Sequence, residues 1–194
     1  MNPIERIISD RQIAQSQGDD NADICFLALA SNNTPSVRTL VLREISHEGF
    51  TLFINKTSKK WEIMSSNPAA EMLIWYSSTQ RQYRVSGTID ELDRGAIEKN
   101  WFRRPVGSKY LDHTYEKFAR QSSEIDSREK LLTHIDLLRK GLSEDDMTTP
   151  ENATGIILRP SVIECLDLNQ KDRIHDRRKF TLLNNHWQET LLMP

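Results

Sequence analysis

The chain has 194 residues, with 26 lysines and arginines against 28 aspartates and glutamates and a net charge of −2. That length suits a single domain and buries roughly 70% of the extended-chain surface, so no disulfide or metal staple is needed. The near-zero charge gives no overall field toward nucleic acid or membrane, and any anion site must come from basic residues placed locally. The two cysteines, Cys25 and Cys165, sit in apolar stretches and read as buried thiols of a reducing compartment. The opening residues hold no long apolar run, so a cytoplasmic location without signal peptide or membrane span is expected.

Residues 3–17 fit a short amphipathic helix with Ile4, Ile7, Ile8 and Ile13 as its apolar positions. A polar break over 17–21 leads into an apolar strand, 24–30. Turn chemistry follows at 31–35, then a strand over 36–44 with Val37, Thr39 and Val41 on one face and Arg38, Leu40 and Leu42 on the other. His47-Glu48-Gly49 turns the chain into a third strand, 50–55. Ser58 is placed to cap a helix running to Ser66, and Asn67-Pro68 ends it. Strands 70–76 and 82–92 come next.

Residues 94–140 switch to helical periodicity, broken at Arg104-Pro105-Val106-Gly107. Leu131, Ile135 and Leu138 form a packing stripe. Residues 143–152 are acidic and threonine-rich, which predicts an exposed loop. Strands are expected again over 155–158, 162–168, 173–183 and 187–192, with Asn184-Asn185 as a hairpin turn. The pattern predicts a single domain, mainly β with α insertions. It forms an antiparallel β-barrel with an N-terminal helical segment (1–21), a helical insertion (94–140) between the fifth and sixth strands, and C-terminal strands (155–194).

Several basic and amide residues stand out. In Arg173-Ile174-His175-Asp176-Arg177, strand alternation would put both arginines and the imidazole on one face and Ile174 toward the core. Such a face repels itself unless an anion or carboxylate lies among the charges. The same run also suits a charged, solvated edge strand. Lys59 and Lys60 follow Ser58 at a helix start, where backbone N–H groups and the macrodipole favour a dianion; lysines there otherwise oppose the dipole. Gln82 offers donors and an acceptor to a flat heterocycle, or sits on a solvated strand face. Arg104 and Ser108 fit a second anion or a plain helix boundary. Gln121-Ser122-Ser123 fits a polar turn or helix cap. The five histidines show no ligand spacing, no metal is expected, and the four tryptophans read as packing.

Taken in order, these pieces resemble the pyridoxamine 5′-phosphate oxidase family of FMN-binding split barrels. The resemblance rests on residues 36–43, 49–55, Ser58-Lys59-Lys60, Asn67-Pro68, Arg81-Gln82, Arg104-Pro105 with Ser108, Gln121-Ser122, residues 173–177, and Trp187 through Leu192-Met193-Pro194. It implies a homodimer with FMN at the subunit interface and a small phosphorylated substrate. Arg38, Lys59 and Lys60, in the segments Arg38-Thr39-Leu40-Val41 and Ser58-Lys59-Lys60, would hold the FMN phosphate. Gln121 and Ser122 would arrive from the partner chain. Phe53 and Ile54 would supply backbone contacts, Gln82 would face the ring, and Arg177 would complete the flavin site. Arg43, Arg104 and Ser108 would meet the substrate phosphate, with Arg173 and His175 as the catalytic pair against the pyridine of a vitamin B6 phosphate.

The implied activity is oxidation of pyridoxamine or pyridoxine 5′-phosphate to pyridoxal 5′-phosphate, with dioxygen as acceptor. The alternatives are oxidation of another small molecule, as in the family's phenazine-biosynthesis branch, and a non-catalytic flavin-binding protein. The sequence departs from the family in several places. Arg43 replaces a lysine, Cys165-Leu166 replaces an aromatic pair including a flavin-contacting tryptophan, and Asn100 replaces a substrate-binding tyrosine. Extra residues also separate Ser108 from Gln121, and the substrate-covering N-terminal segment is short.

Overall fold

The computed structural model describes residues 2–168 and 172–194. In chain order the elements are α1 (Pro3–Ser16), β1 (Ile24–Ser31), β2 (Thr34–Val41), β3 (Glu44–Ser46), β4 (Gly49–Asn55), α2 (Lys59–Ser66), β5 (Ala69–Tyr76), β6 (Arg81–Glu91), α3 (Arg94–Phe102), α4 (Val106–Lys117), α5 (Arg128–Gly141), β7 (Ala153–Asp167), β8 (Asp176–Leu183) and β9 (His186–Leu192). The strands form one sheet in the order β2-β1-β5-β6-β7-β4-β3, with β8 pairing β7 and β9. Every register described is antiparallel. By contacts the chain divides into two compact units, one of residues 1–52, 66–90 and 157–194, the other of 53–65 and 91–156. No helix among the described residues is long and apolar enough to cross a membrane.

In the first unit, α1 starts where Asn2 Oδ1 accepts the Ile4 N–H at 3.0 Å and Pro3 takes the first helical position. Ile4 and Ile7 are buried as expected, but Ile13 is 39% exposed. Asp10 and Ala14 are buried instead. Asp10 is admissible there because Arg81 Nη1 reaches it at 2.6 Å and the Tyr83 hydroxyl donates to it. The β1–β2 hairpin turns on Asn32 and Asn33, both at positive φ, so the turn is shorter than predicted. Strand alternation in β2 holds: Val37 and Val41 are exposed, while Arg38 and Leu40 are half-buried.

Four expectations are corrected. The second strand ends at Val41 and a separate β3 follows, which shifts the helical insertion to lie between the sixth and seventh strands. The two strands expected over 155–168 are one fifteen-residue strand, β7, because Pro160 does not interrupt it. Gly87 accommodates it closely: a Cβ there would stand 2.0 Å from the Arg159 carbonyl oxygen. Strand β8 starts only at Asp176. Arg173 has φ 61°, Ile174 is 69% exposed, and the Ile174 N–H donates to Asp172 Oδ1 at 3.0 Å. A local turn therefore replaces the start of the predicted strand, and the Arg173-His175-Arg177 alternation is not formed.

In the second unit, Asp93 and Ser127 cap α3 and α5 by accepting the Ala96 and Lys130 N–H groups. Trp101, Tyr110, Ile135, Met147 and Ala153 form a buried cluster, with Leu131 and Leu138 against it, so the predicted α5 stripe packs as read. The fourth correction falls here. The acidic 143–152 segment is anchored rather than fully exposed: Met147 is buried in that cluster and Lys109 Nζ pairs with Glu144 at 2.8 Å.

Candidate functional site

The second unit brings the sequence-predicted phosphate residues of α2 together with those of the turn after α4. Lys60 Nζ donates to Gln121 Oε1 at 3.0 Å. The Gln121 N–H donates to Thr57 Oγ1 at 3.1 Å, and Arg120 pairs with Glu62 at 2.5 Å. Gln121 thus lies against Lys60 within this chain. Ser122 follows in the same turn at φ 68° and is exposed, as is Lys59 at the start of α2. Ser58 does not act as the expected cap. It is buried, and its hydroxyl donates to the Asn55 carbonyl at 2.7 Å. Asn55 Oδ1 accepts from Thr57 N and Oγ1 instead, an Asx turn that shapes the entry to α2.

A narrow crevice in the same unit is lined by Phe53, Ile54, Asn100, Trp101, Arg104 and Thr154. Asn100 Nδ2 is buried there and has no hydrogen-bond partner among the described residues. An orphaned buried donor costs about 1–3 kcal/mol, so it marks a place for an acceptor. Arg104 is not fully available to a substrate anion: its Nη1 pairs with buried Asp112, which Trp101 Nε1 also approaches at 3.0 Å. Burial pushes the Asp112 carboxyl up from its ordinary value, against the pull of Arg104, Trp101 and Asn55. Ser108 lies half-buried in the first turn of α4.

The first unit carries the remaining candidates. Arg38 donates to Leu27 O and Ser36 O, both at 3.1 Å, and to Ser36 Oγ at 2.8 Å. All three are neutral oxygens, and among the described residues no carboxylate pairs it. Burial lowers its pKa. A half-buried guanidinium without a counter-charge is suited to an anion. Thr39, Leu40 and Val41 continue β2, and Arg43 is exposed just beyond it. Gln82 lies opposite Trp75 in the β5–β6 register.

Arg177 is compensated: its Nη2 pairs with Glu164 at 2.8 Å, and Arg84 lies 3.6 Å from the same carboxylate. Leu166, at the family's tryptophan position, lies directly across the ladder from Arg177. Asp176 supports Arg178, its Oδ2 2.8 Å from Nε. Arg173 is exposed, and His175 is half-buried with its Nδ1 buried and unpartnered among the described residues. Sequence reading missed Asp112, Asn55 and Thr57. Asp112 lies one helical turn beyond Ser108, a spacing that carries no motif of its own.

A sequence model described as pyridoxamine 5′-phosphate oxidase matches residues 19–139. A pyridoxine/pyridoxamine 5′-phosphate oxidase of Pelagibacter ubique is 31% identical over 173 residues, 87% of this chain and 81% of that protein. Among solved structures, PhzG from Burkholderia lata 383, in complex with tetrahydrophenazine-1-carboxylic acid, is 25% identical at a TM-score of 0.88 and covers 99% of this chain and 92% of its own. A pyridoxamine 5′-phosphate oxidase-related, FMN-binding protein of Nostoc punctiforme shares the fold at a TM-score of 0.80 and 16% identity, over 100% of this chain and 99% of its own. On the extent of the sequence match, this chain belongs to the pyridoxamine 5′-phosphate oxidase family.

Proposed function

We propose that this protein is an FMN-dependent oxidase of a small anionic substrate, with pyridoxamine or pyridoxine 5′-phosphate as the first candidate. The observation that carries this reading is the Lys60–Gln121 contact. Two motif residues 61 positions apart converge at a helix start, in a family with an FMN-binding relative. The ammonium, the amide and the first N–H groups of α2 suit a phosphate dianion. Arg38, with only neutral partners, is the first unit's candidate for an anion.

FMN would supply the acceptor for a hydride from the substrate and pass the electrons to dioxygen. Around it this chain's residues bind and orient. Lys59, Lys60, Gln121 and Ser122 hold the cofactor phosphate. Arg104 and Ser108 hold the substrate anion, with Arg43 as a further cation for it. Arg173 and His175 position the substrate and stabilise charge. Gln82 would face the flavin ring, and Phe53 and Ile54 would supply backbone contacts to the cofactor. Arg177, held by Glu164, acts as a neutralised pair rather than as a free cation.

A second reading, oxidation of a carboxylated aromatic compound, is favoured by Asn100 in place of tyrosine and by the likeness to PhzG. The exposed Val37 and Val41 on edge strand β2 support a homodimer, and the buried thiols Cys25 and Cys165 suit the cytoplasm. FMN-loaded protein should bleach at its flavin absorbance without oxygen when pyridoxamine 5′-phosphate is added, and form peroxide when air is admitted. Bleaching by an aromatic carboxylate alone favours the second reading. Failure of the apo-protein to take up FMN sinks both.

A further inference from the structure

One buried carboxylate of the second unit, Asp112, touches Arg104 and reaches toward the Lys60–Gln121 contact through Asn55 and Thr57. Asp112 is 2% exposed. Its Oδ2 accepts from Trp101 Nε1 at 3.0 Å and from Arg104 Nη1. Its Oδ1 accepts from Asn55 Nδ2 at 3.5 Å. Asn55 is equally buried, and its Nδ2 also reaches Asn152 Oδ1 at 3.1 Å.

These contacts fix the direction of every bond beyond them. With its NH2 turned to Asp112 and Asn152, Asn55 must present its oxygen to Thr57. That oxygen accepts from Thr57 N at 2.9 Å and from Thr57 Oγ1 at 2.7 Å. A hydroxyl has one proton. Having given it to Asn55, Thr57 Oγ1 can only accept, and it accepts the Gln121 N–H at 3.1 Å. Gln121 Oε1 then meets Lys60 Nζ at 3.0 Å.

We infer that Asp112 is a positioning residue for both anion subsites, orienting Arg104 directly and fixing Gln121 against Lys60 through Asn55 and Thr57. Three donors converge on its carboxylate. An amide in its place offers one oxygen and one NH2, so D112N must set a donor against Arg104 and Trp101 or against Asn55. The second choice sets two NH2 groups against each other and pushes the Asn55 amide out of the position in which its oxygen serves Thr57. This inference rests on the proposed function for the identity of the two anions.

The test combines FMN titration of apo-protein by flavin fluorescence, KM and kcat with pyridoxamine 5′-phosphate, and thermal melting, for wild type, D112N and T57V. D112N should raise the FMN Kd and the substrate KM each about tenfold, the scale of one hydrogen bond to a charged group, with kcat changed less. T57V, which cuts only the flavin branch, should raise the FMN Kd by a similar factor and leave KM unchanged. If D112N lowers the melting temperature but leaves both constants unchanged, Asp112 is only structural and the inference is wrong. It is equally wrong if T57V leaves the FMN Kd unchanged, a result obtainable even should D112N not fold. Wild-type apo-protein that does not bind FMN overturns the functional reading instead.

Discussion

Lys60 and Gln121 meet at 3.0 Å through side chains supplied by two segments far apart in sequence. Removing the ammonium should cost the phosphate one charge-assisted contact. Lys60→Ala is therefore expected to raise the FMN Kd roughly ten- to a hundredfold while the fold persists, measurable by flavin fluorescence. Arg173 predicts the reverse split. It is exposed and lies outside regular structure, so Arg173→Ala should leave FMN retention near wild type and lower kcat/KM by about a hundredfold, the scale of one electrostatic stabiliser. Unchanged oxidase kinetics would remove Arg173 from the substrate site. At this scale the residue types were legible in the sequence and their partners were not. The resemblance marked Ser58, Arg104 and Arg177 as ligand-site residues; the fold also engages Ser58 with a carbonyl, one nitrogen of Arg104 with Asp112 and Arg177 with Glu164. For the two arginines the partners sit in other elements, and no local pattern points to them.

Among elements, the link between the chain after α1 and the β5–β6 turn rests on Asp19. Its carboxylate accepts from Ser77 Oγ and from the Ser78 N–H, both at 2.8 Å. Burial alone would raise its pKa, but these bonds outweigh that and hold it at about 2, against an ordinary 3.8. A depressed carboxylate stabilises the fold above its unfolded pKa, and the contribution is lost as pH falls through the folded value. Acid titration should show wild type losing this stability between pH 3.8 and about 2. Asp19→Asn should lack that part of the slope and sit about 1 kcal/mol lower at neutral pH, given the site's partial exposure. A neighbouring constraint is steric: Gly87→Ala sets a methyl group against the β7 backbone and should cost about 1–3 kcal/mol in denaturant melts. Element type was legible wherever periodicity ran long, as in α1, α5 and the paired strands. It failed where a short polar run imitated a strand, at Arg173–His175, and where one long strand, β7, was divided in two around residues 159–161.

For the whole molecule, edge strand β2 exposes Val37 at 68% and Val41 at 49%. Exposed apolar side chains on an edge invite a partner. Sedimentation should give twice the 22.5 kDa chain mass, and a Val37→Lys, Val41→Lys double substitution should shift it toward monomer. The strand order has a further consequence, in the timing of folding. Strand β7 neighbours both β6 and β4, so the centre of the sheet closes on a strand synthesised after all five helices. On the ribosome β4, paired only with short β3, keeps its other edge open until the chain has passed α5. Its buried residues Phe50, Leu52 and Ile54 are exposed to aggregation for that interval. Pairing across so long a sequence separation is slow, because the loop must close before any ladder bond repays it. Chaperone demand during synthesis should therefore track the rate at which residues 94–153 are translated, a property set by the insertion's position and invisible in the stability of the finished fold.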